Sequence, residues 1–139
     1  MISLREQLRK SIAGLAQNCS FVVVPFSSGA QVMGDRREWR ESSDSGKKWA
    51  NTLVEMLAPS GGTEPLPGFE IVFSMRPRPD AIYFMTDGEF NEAVVDRVAA
   101  LNRMAKVPIH CICFGQEGGG MLMKTISKAS KGTYRFVPE

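Results

Sequence analysis

The chain has 139 residues, of which 43% are apolar, and it carries 17 Lys and Arg against 15 Asp and Glu, a net charge of +2. A chain of this length fits one domain, whose core can bury about two-thirds of the surface of the unfolded chain. The nearly balanced charge argues against nucleic acid as a partner, because phosphate-backbone binders usually carry a strong basic bias.

No segment of the sequence resembles a membrane span or a secretion signal. The longest apolar stretch, Phe21–Phe26, is far shorter than the roughly 20 residues that a spanning helix requires. Three cysteines, an odd number with no zinc-ligand spacing, are interpreted as buried reduced thiols. We therefore expect a cytoplasmic protein, whereas a longer native product is compatible with a membrane anchor.

The first predicted elements are a helix and a buried strand. Apolar residues recur at spacings of three and four and predict a helix from about Ser3 to Gln17; they are Leu4, Leu8, Ile12 and Leu15. The run Phe21–Phe26 is continuous and rich in β-branched residues, which is typical of a strand covered on both faces. Pro25 removes one ladder donor and should end or bulge this strand.

The next stretch predicts a short hairpin and a solvated loop. Ser27, Ser28 and Gly29 form a turn into Ala30–Met33, which we expect to be an antiparallel edge strand. The stretch Asp35–Lys48 mixes charges of both signs with Ser and Gly, so its composition predicts a loop and no binding patch.

Two helices follow. The second helix has its apolar residues at helical spacing, namely Trp49, Leu53, Met56 and Leu57, and it should stop before the turn at 59–62. Thr63 is predicted to cap the third helix, in which Leu66, Phe69 and Phe73 form the inner face and Pro65 lies in the first turn.

The second half of the sequence alternates strands and helices. It predicts strands at Ala81–Met85, Ile109–Phe114 and Thr133–Val137, one helix with Val94, Val98, Leu101 and Ala105 inward, and another with Leu122, Ile126 and Ala129 inward. This order predicts a three-layer, doubly wound (Rossmann-like) α/β domain with a mainly parallel sheet and one short antiparallel edge strand. One feature is unusual, because the first helix has no strand before it.

Ligands of open α/β sheets bind where loops follow the carboxyl ends of the strands. Three predicted loops qualify, at residues 27–29, 61–64 and 86–89. Asp87 together with hydroxyl groups on neighbouring loops is a set of hard oxygen ligands suited to Mg²⁺. The ordinary alternative is that Thr63 is only a helix cap and that Asp87 bonds to its own turn.

Other candidate sites are less well supported. His110, the single histidine, lies in an apolar strand and is predicted to be a satisfied core or interface residue rather than a catalytic base. The run Gly118–Gly120 precedes a helix and could bind a phosphorylated ligand, which leaves a small α/β enzyme or regulator as the alternative function. No Ser/His/Asp set is present, so catalysis is not predicted.

Several of these segments together resemble the von Willebrand factor type A (VWA) domain family. They are Phe26-Ser27-Ser28, Gly61-Gly62-Thr63, Tyr83-Phe84-Met85-Thr86-Asp87-Gly88-Glu89, the strand His110–Gly115 and the unit Lys131-Gly132-Thr133-Tyr134 that follows the last helix. The resemblance extends from Ser3 to Val137. It implies a doubly wound sheet and a metal-ion-dependent adhesion site that mediates protein binding through a divalent cation.

The resemblance also assigns site residues. Thr63 corresponds to the threonine ligand of the second loop and Asp87 to the aspartate of the third. The remaining residues of the binding-face loops are Ser27, Ser28, Gly62, Glu64, Gly88 and Glu89. The first ligand loop, Asp-x-Ser-x-Ser, is missing. A partial site with one matched carboxylate predicts that Mg²⁺ or another divalent cation binds weakly.

The missing motif normally ends a central first strand, so we expect a single domain over residues 1–139 that is incomplete at its N-terminus. Unpaired strand edges are costly when they are buried. Either the flanking strands pair with each other, a second copy or a partner supplies a strand, or the native product is longer. We expect a non-catalytic protein-interaction module with an unidentified protein partner, and a homodimer or strand-exchanged assembly as one arrangement.

Overall fold

The computed structural model describes residues 4–26, 29–34, 37–56, 64–86, 89–115 and 120–138. Five helices lie within these residues: α1 (Leu4–Ala13), α2 (Asp44–Glu55), α3 (Leu66–Ser74), α4 (Ala93–Asn102) and α5 (Gly120–Ser130). The strands are β1 (Ser20–Phe21), β2 (Arg40–Glu41), β3 (Ile82–Thr86), β4 (Ile109–Gly115) and β5 (Tyr134–Pro138). Each of these helices is too short or too polar to cross a lipid bilayer.

The C-terminal half is built on a parallel sheet in the order β3-β4-β5. Alternate residues of its strands, such as Phe84 and Cys111, share one face and pack with α3, α4 and α5 into the larger core cluster. Parallel strands need crossover connections, and α4 and α5 supply them here. The fold is therefore the predicted doubly wound α/β architecture.

The N-terminal half has a smaller core and very little sheet. Ile12, Phe21, Ala50 and Val54 are its buried residues, and they bring α1 and α2 onto one face of the segment 20–26. On the other face of that segment, α3 approaches so closely that a Cβ on Gly68 would lie 3.8 Å from Val24 Cγ1. Helices thus cover the segment from both sides, as a three-layer arrangement requires.

Helices cover the segment Phe21–Phe26 on both faces as predicted, but the prediction that all of it is a strand is wrong. Only Ser20–Phe21 joins a ladder, with the antiparallel partner Arg40–Glu41, and residues 22–26 are half-buried. The predicted edge strand Ala30–Met33 does not form a regular strand. Ala30 makes an isolated antiparallel bridge with Phe26, and two further backbone N–H groups of this stretch donate to the carbonyls of Val23 and Pro25. A strand becomes fully buried only when neighbours flank it on both edges, and here one edge has none among the described residues.

Part of the predicted loop 35–48 is helical. Helix α2 begins at Asp44 because Ser43 occupies the N-cap and its side chain accepts a hydrogen bond from the Gly46 N–H at 3.2 Å. Gly46 is required at this point, since an added Cβ would lie 2.0 Å from the Glu41 carbonyl oxygen. The mixed charges of this stretch favour a loop in the sequence analysis, whereas Ser43 followed by Asp44 is a typical helix start.

Smaller corrections concern the helix ends and inner faces. Pro65, not Thr63, occupies the N-cap of α3. In α5, Ala129 is exposed, although it is predicted to face inward. Met123, which the pattern does not place on the inner face, is buried instead. Leu4 is 43% exposed, so α1 contributes Ile12 and the polar Gln7 to the interior in place of a purely apolar stripe.

Candidate functional site at the carboxyl edge of the sheet

Phe84 is the middle residue of β3 and contacts three other phenylalanine rings. The ring centroids lie 5.0 Å from Phe69, 5.5 Å from Phe90 and 5.9 Å from Phe26. Phe26 comes directly before the first predicted loop, Phe69 lies in the first turn of α3 after the second, and Phe90 follows the third. One aromatic cluster therefore brings the bases of the three predicted loops to the same edge of the sheet.

The polar groups at this edge are arranged around the end of β3. Thr86 is buried, with 5% of its surface exposed, and its register partner on β4 is Cys113. Glu64, ahead of α3, and Glu89, after β3, are both exposed. Two carboxylates are thus available to solvent on the loops that the aromatic cluster brings together.

The other predicted site residues lie outside the described residues. They are Ser27, Ser28, Gly62, Thr63, Asp87 and Gly88, as well as Gly118 and Gly119 of the glycine run. Within the described ranges, no three His, Cys, Asp or Glu side chains are grouped so that they could hold a metal ion. The described part of the edge does not by itself fit a divalent cation, and a metal site here would depend on Thr63 and Asp87.

His110 is satisfied, as the sequence predicts. Its Nδ1 atom accepts a hydrogen bond from the Thr133 N–H at 3.1 Å and lies 2.9 Å from the Thr133 Oγ1. Its ring lies 5.0 Å from the ring of Tyr83, on the face of the sheet opposite Phe84. These contacts hold the imidazole in the sheet and away from the aromatic cluster.

The three cysteines are free thiols, and their environments differ. Cys111 and Cys113 are buried in the larger core, whereas Cys19 is only half-buried, so the expectation of three buried thiols is wrong for Cys19. Burial raises the pKa of Cys111 from 9.0 to about 12. A thiol that stays protonated at neutral pH is a poor nucleophile, which agrees with a structural role.

The aromatic cluster is the feature that sequence reasoning missed. Its signal was present, because each of the three predicted loops has a phenylalanine at its base. The sequence patterns place Phe26 and Phe84 in predicted strands and Phe69 in a predicted helix, and their spacing does not show that these rings and Phe90 meet. Only the packing of α3 and α4 on β3 brings the rings together.

The fold and the position of this edge define a class of protein, namely doubly wound α/β domains whose binding face is formed by loops at the carboxyl ends of the strands. The sequence profile of the von Willebrand factor type A domain matches residues 3–136. The chain therefore belongs to the VWA domain family, whose members generally act as protein-interaction modules. No protein of curated function gives a significant sequence match.

Solved structures support the same fold. A von Willebrand factor type A protein from Catenulispora acidiphila is 20% identical, with a TM-score of 0.84, over 97% of this chain and 33% of its own. Proximal thread matrix protein 1 from the mussel byssus, with a zinc-occupied MIDAS motif, is 17% identical, with a TM-score of 0.69, over 97% and 38%. An aerotolerance-related membrane protein from Bacteroides fragilis is 16% identical, with a TM-score of 0.73, over 97% and 79%.

The chain thus spans only about a third of the length of the Catenulispora and mussel proteins. At these identities the likeness concerns the fold. It covers both halves of the chain at once, so the arrangement of the N-terminal half against the parallel sheet is that of a solved domain of this family.

Proposed function

We propose that this protein is a non-catalytic protein-binding module that contacts its partner through the loops at the carboxyl edge of the sheet. The observation that carries the proposal is the contact of Phe84 with Phe26, Phe69 and Phe90. The described residues that flank these loops thus converge on one side chain, and binding residues are commonly carried on loops that a rigid scaffold positions. The loop residues of this face are Ser27, Ser28, Gly62, Glu64, Gly88 and Glu89.

A divalent cation at Thr63 and Asp87 is the second part of the proposal. The zinc-occupied MIDAS motif of the mussel protein supports it, because that protein shares the fold. Mg²⁺ takes only a few protein oxygens and keeps several waters, so a site with one carboxylate and one hydroxyl leaves positions that oxygen atoms of a partner can fill. Such a site binds the free cation weakly and gains affinity when the partner completes it.

Calorimetric titration with Mg²⁺, and separately with Zn²⁺, tests the metal site. The unaltered chain should bind weakly, and Asp87→Ala should weaken binding at least about tenfold through the loss of the carboxylate ligand. Glu70→Ala is the matched control, because Glu70 is an exposed carboxylate on α3 and should leave binding unchanged. Equal binding by Asp87→Ala, or no binding by the unaltered chain at millimolar cation, would overturn the metal proposal.

Calorimetric titration also distinguishes the protein-binding proposal from a phosphate-binding function of the glycine run Gly118–Gly120. Helix α5 begins at the last of these glycines. Titration with inorganic phosphate should give no heat in the unaltered chain. Heat that is lost in Gly119→Val would instead favour a regulator or enzyme acting on a phosphorylated ligand.

Two finer points belong to the proposal. We place the protein in the cytoplasm, in agreement with its three free thiols. Its assembly is either monomeric or a homodimer formed by strand exchange, and light scattering coupled to size-exclusion chromatography distinguishes the two by mass.

A further inference from the structure

The charges of the C-terminal half are segregated along the chain, although the chain as a whole is nearly balanced. Residues 97–109 and 124–135 contain seven Lys and Arg and no Asp or Glu. These two segments contain the ends of α4 and α5 and the turns that lead into β4 and β5. Because the strands are parallel, both turns lie at the edge where the strands begin, opposite the predicted loops. The turn ahead of β3 adds two exposed cations and one exposed carboxylate to this edge, namely Arg76, Arg78 and Asp80.

The turns after α4 and α5 are neighbours in the structure. The Ile109 N–H, at the start of β4, donates to the Ser130 Oγ, at the end of α5, at 2.9 Å. Gly132 lies so close to the same strand that an added Cβ would collide with the Ile109 carbonyl. Lys106 comes shortly before Ile109 and Lys131 directly after Ser130, so both lysines belong to one part of this edge.

Hydrogen bonds fix the backbone of both turns. After α4, the Asn102 side chain donates to the Val107 carbonyl at 2.8 Å and accepts from the Val107 N–H at 2.7 Å. After α5, the Gly132 N–H donates to the Ser127 carbonyl at 2.8 Å. A surface whose backbone is already fixed loses little conformational freedom when it binds another surface. The two turns therefore hold their side chains in positions that are ready for binding.

Two of the lysines have an unusual backbone conformation. Lys106 and Lys131 have φ angles of 53° and 65°, in the left-handed region that glycine or asparagine occupies at lower cost after a helix. A cation at the C-terminal end of a helix ordinarily serves to complement the helix dipole. Arg103 and Lys128 already supply that cation at the ends of α4 and α5. The two strained lysines therefore indicate a further use of positive charge at this edge.

The cations of the two turns are exposed together with an apolar side chain. Arg103, Lys106, Lys128 and Lys131 are all exposed, and none forms an ion pair with another described residue. Met104, in the first of the two turns, is 81% exposed. We call these five residues the basic edge. Unpaired cations around an exposed apolar side chain suit a surface that is anionic outside and apolar beneath.

We propose that the basic edge binds the headgroup surface of a membrane that contains anionic phospholipids. Each cation near such a surface adds to the affinity, and the four cations lie on two neighbouring turns. Met104 adds an apolar contact at the boundary of the acyl chains, and stable membrane binding usually combines two such signals. A peptide that binds as a helix or a strand needs a groove or an open sheet edge, whereas the basic edge consists of exposed helix ends. The proposed partner-binding loops lie at the opposite edge of the sheet and stay accessible.

Co-sedimentation with lipid vesicles at about 0.1 M salt tests the proposal. The unaltered chain should sediment with mixed vesicles of phosphatidylcholine and phosphatidylserine, but not with vesicles of phosphatidylcholine alone. The double variant Lys106→Gly and Lys131→Gly should bind the mixed vesicles about tenfold more weakly or less, because it loses two of the four cations. Glycine adopts the left-handed conformation without strain, so this variant should remain folded.

The matched control removes two exposed cations outside the basic edge, Lys48→Gln and Arg97→Gln, and should keep most of the binding. Met104→Gln should weaken binding by a smaller factor than the double glycine variant. Equal binding by the double glycine variant, or equal binding to phosphatidylcholine alone, would overturn the proposal. So would an unaltered chain that does not sediment with the mixed vesicles, and its binding to poly-L-glutamate would then indicate an acidic protein partner. The metal titration concerns the opposite edge, so the two proposals fail separately.

Discussion

The backbone hydrogen bonds of the N-terminal half and of the C-terminal half have different partners. In the C-terminal half, β4 pairs through five register positions with β3 and five with β5. In the N-terminal half, β1 and β2 share two register positions, and side chains bond to the backbone instead. The Lys47 ammonium donates to the carbonyls of Ala13 and Leu15 at 3.0 and 2.6 Å, and the buried Ser42 hydroxyl donates to the Cys19 carbonyl at 2.9 Å.

This difference indicates an uneven distribution of stability. A ladder makes each backbone bond depend on its neighbours, whereas isolated side-chain bonds open one at a time. The N-terminal half should therefore open at lower cost than the parallel sheet.

The largest expected effect comes from the aromatic cluster that joins the halves. Phe84→Ala should lower the free energy of unfolding by about 3–5 kcal/mol, because it removes a buried ring and leaves a cavity among three others. Tyr83→Ala, on the same strand but 58% exposed, is the control and should cost less than about 1 kcal/mol. Urea unfolding measures both, and similar losses would show that Phe84 does not anchor the halves.

A smaller effect is expected from the bonds that replace a ladder in the N-terminal half. Lys47→Met keeps most of the side-chain volume but removes the donor to two carbonyls at the end of α1, and it should cost about 1–2 kcal/mol. Lys48→Met changes an exposed neighbour and should change stability by less than about 0.5 kcal/mol. If the two variants unfold at the same urea concentration, the bonds of Lys47 contribute nothing to this half.

The mildest test changes no residue and uses the reactivity of the cysteines to follow the opening of each half. Iodoacetamide should modify the half-buried Cys19 in the native chain, and the buried Cys111 and Cys113 only when the sheet unfolds. Mass spectrometry of the labelled peptides along a urea gradient checks this order. Simultaneous labelling of the three thiols would show that the halves open together and would contradict the comparison.

The same thiols predict a pH dependence. The folded chain holds the Cys111 proton up to a pKa of about 12, against 9.0 for the ordinary thiol. Its contribution to stability is therefore complete below pH 9.0 and is lost as the pH rises towards 12, because the unfolded chain releases the proton first. In Cys111→Ala, urea midpoints measured above pH 9.0 should fall less steeply than in the unaltered chain.

Local patterns predicted most of the C-terminal half. Strands at 82–86, 109–115 and 134–138 appear within about one residue of their predicted bounds, because each is a short apolar run between turn residues and each has a parallel partner. The predictions failed where long-range pairing decides the outcome. Segment 21–26 has the composition of a buried strand, yet composition cannot supply the neighbour that completes it.

The candidate site also has a part that the sequence predicts and a part that only the packing shows. Sequence motifs indicated which loops carry the polar residues, and the family match over residues 3–136 agrees with that interpretation. The convergence of those loops on Phe84 was invisible in the sequence, because the four rings lie up to 64 positions apart and meet only when α3 and α4 pack on β3.

The sequence by itself determined the α/β class, the parallel half of the sheet and the satisfied state of His110. These follow from local periodicity, turn chemistry and strand direction. The tertiary structure alone decided that the described strands of the two halves form separate sheets beneath one helix. The physical reason is that backbone pairing depends on which strands meet in space, and no residue records that in its own local sequence.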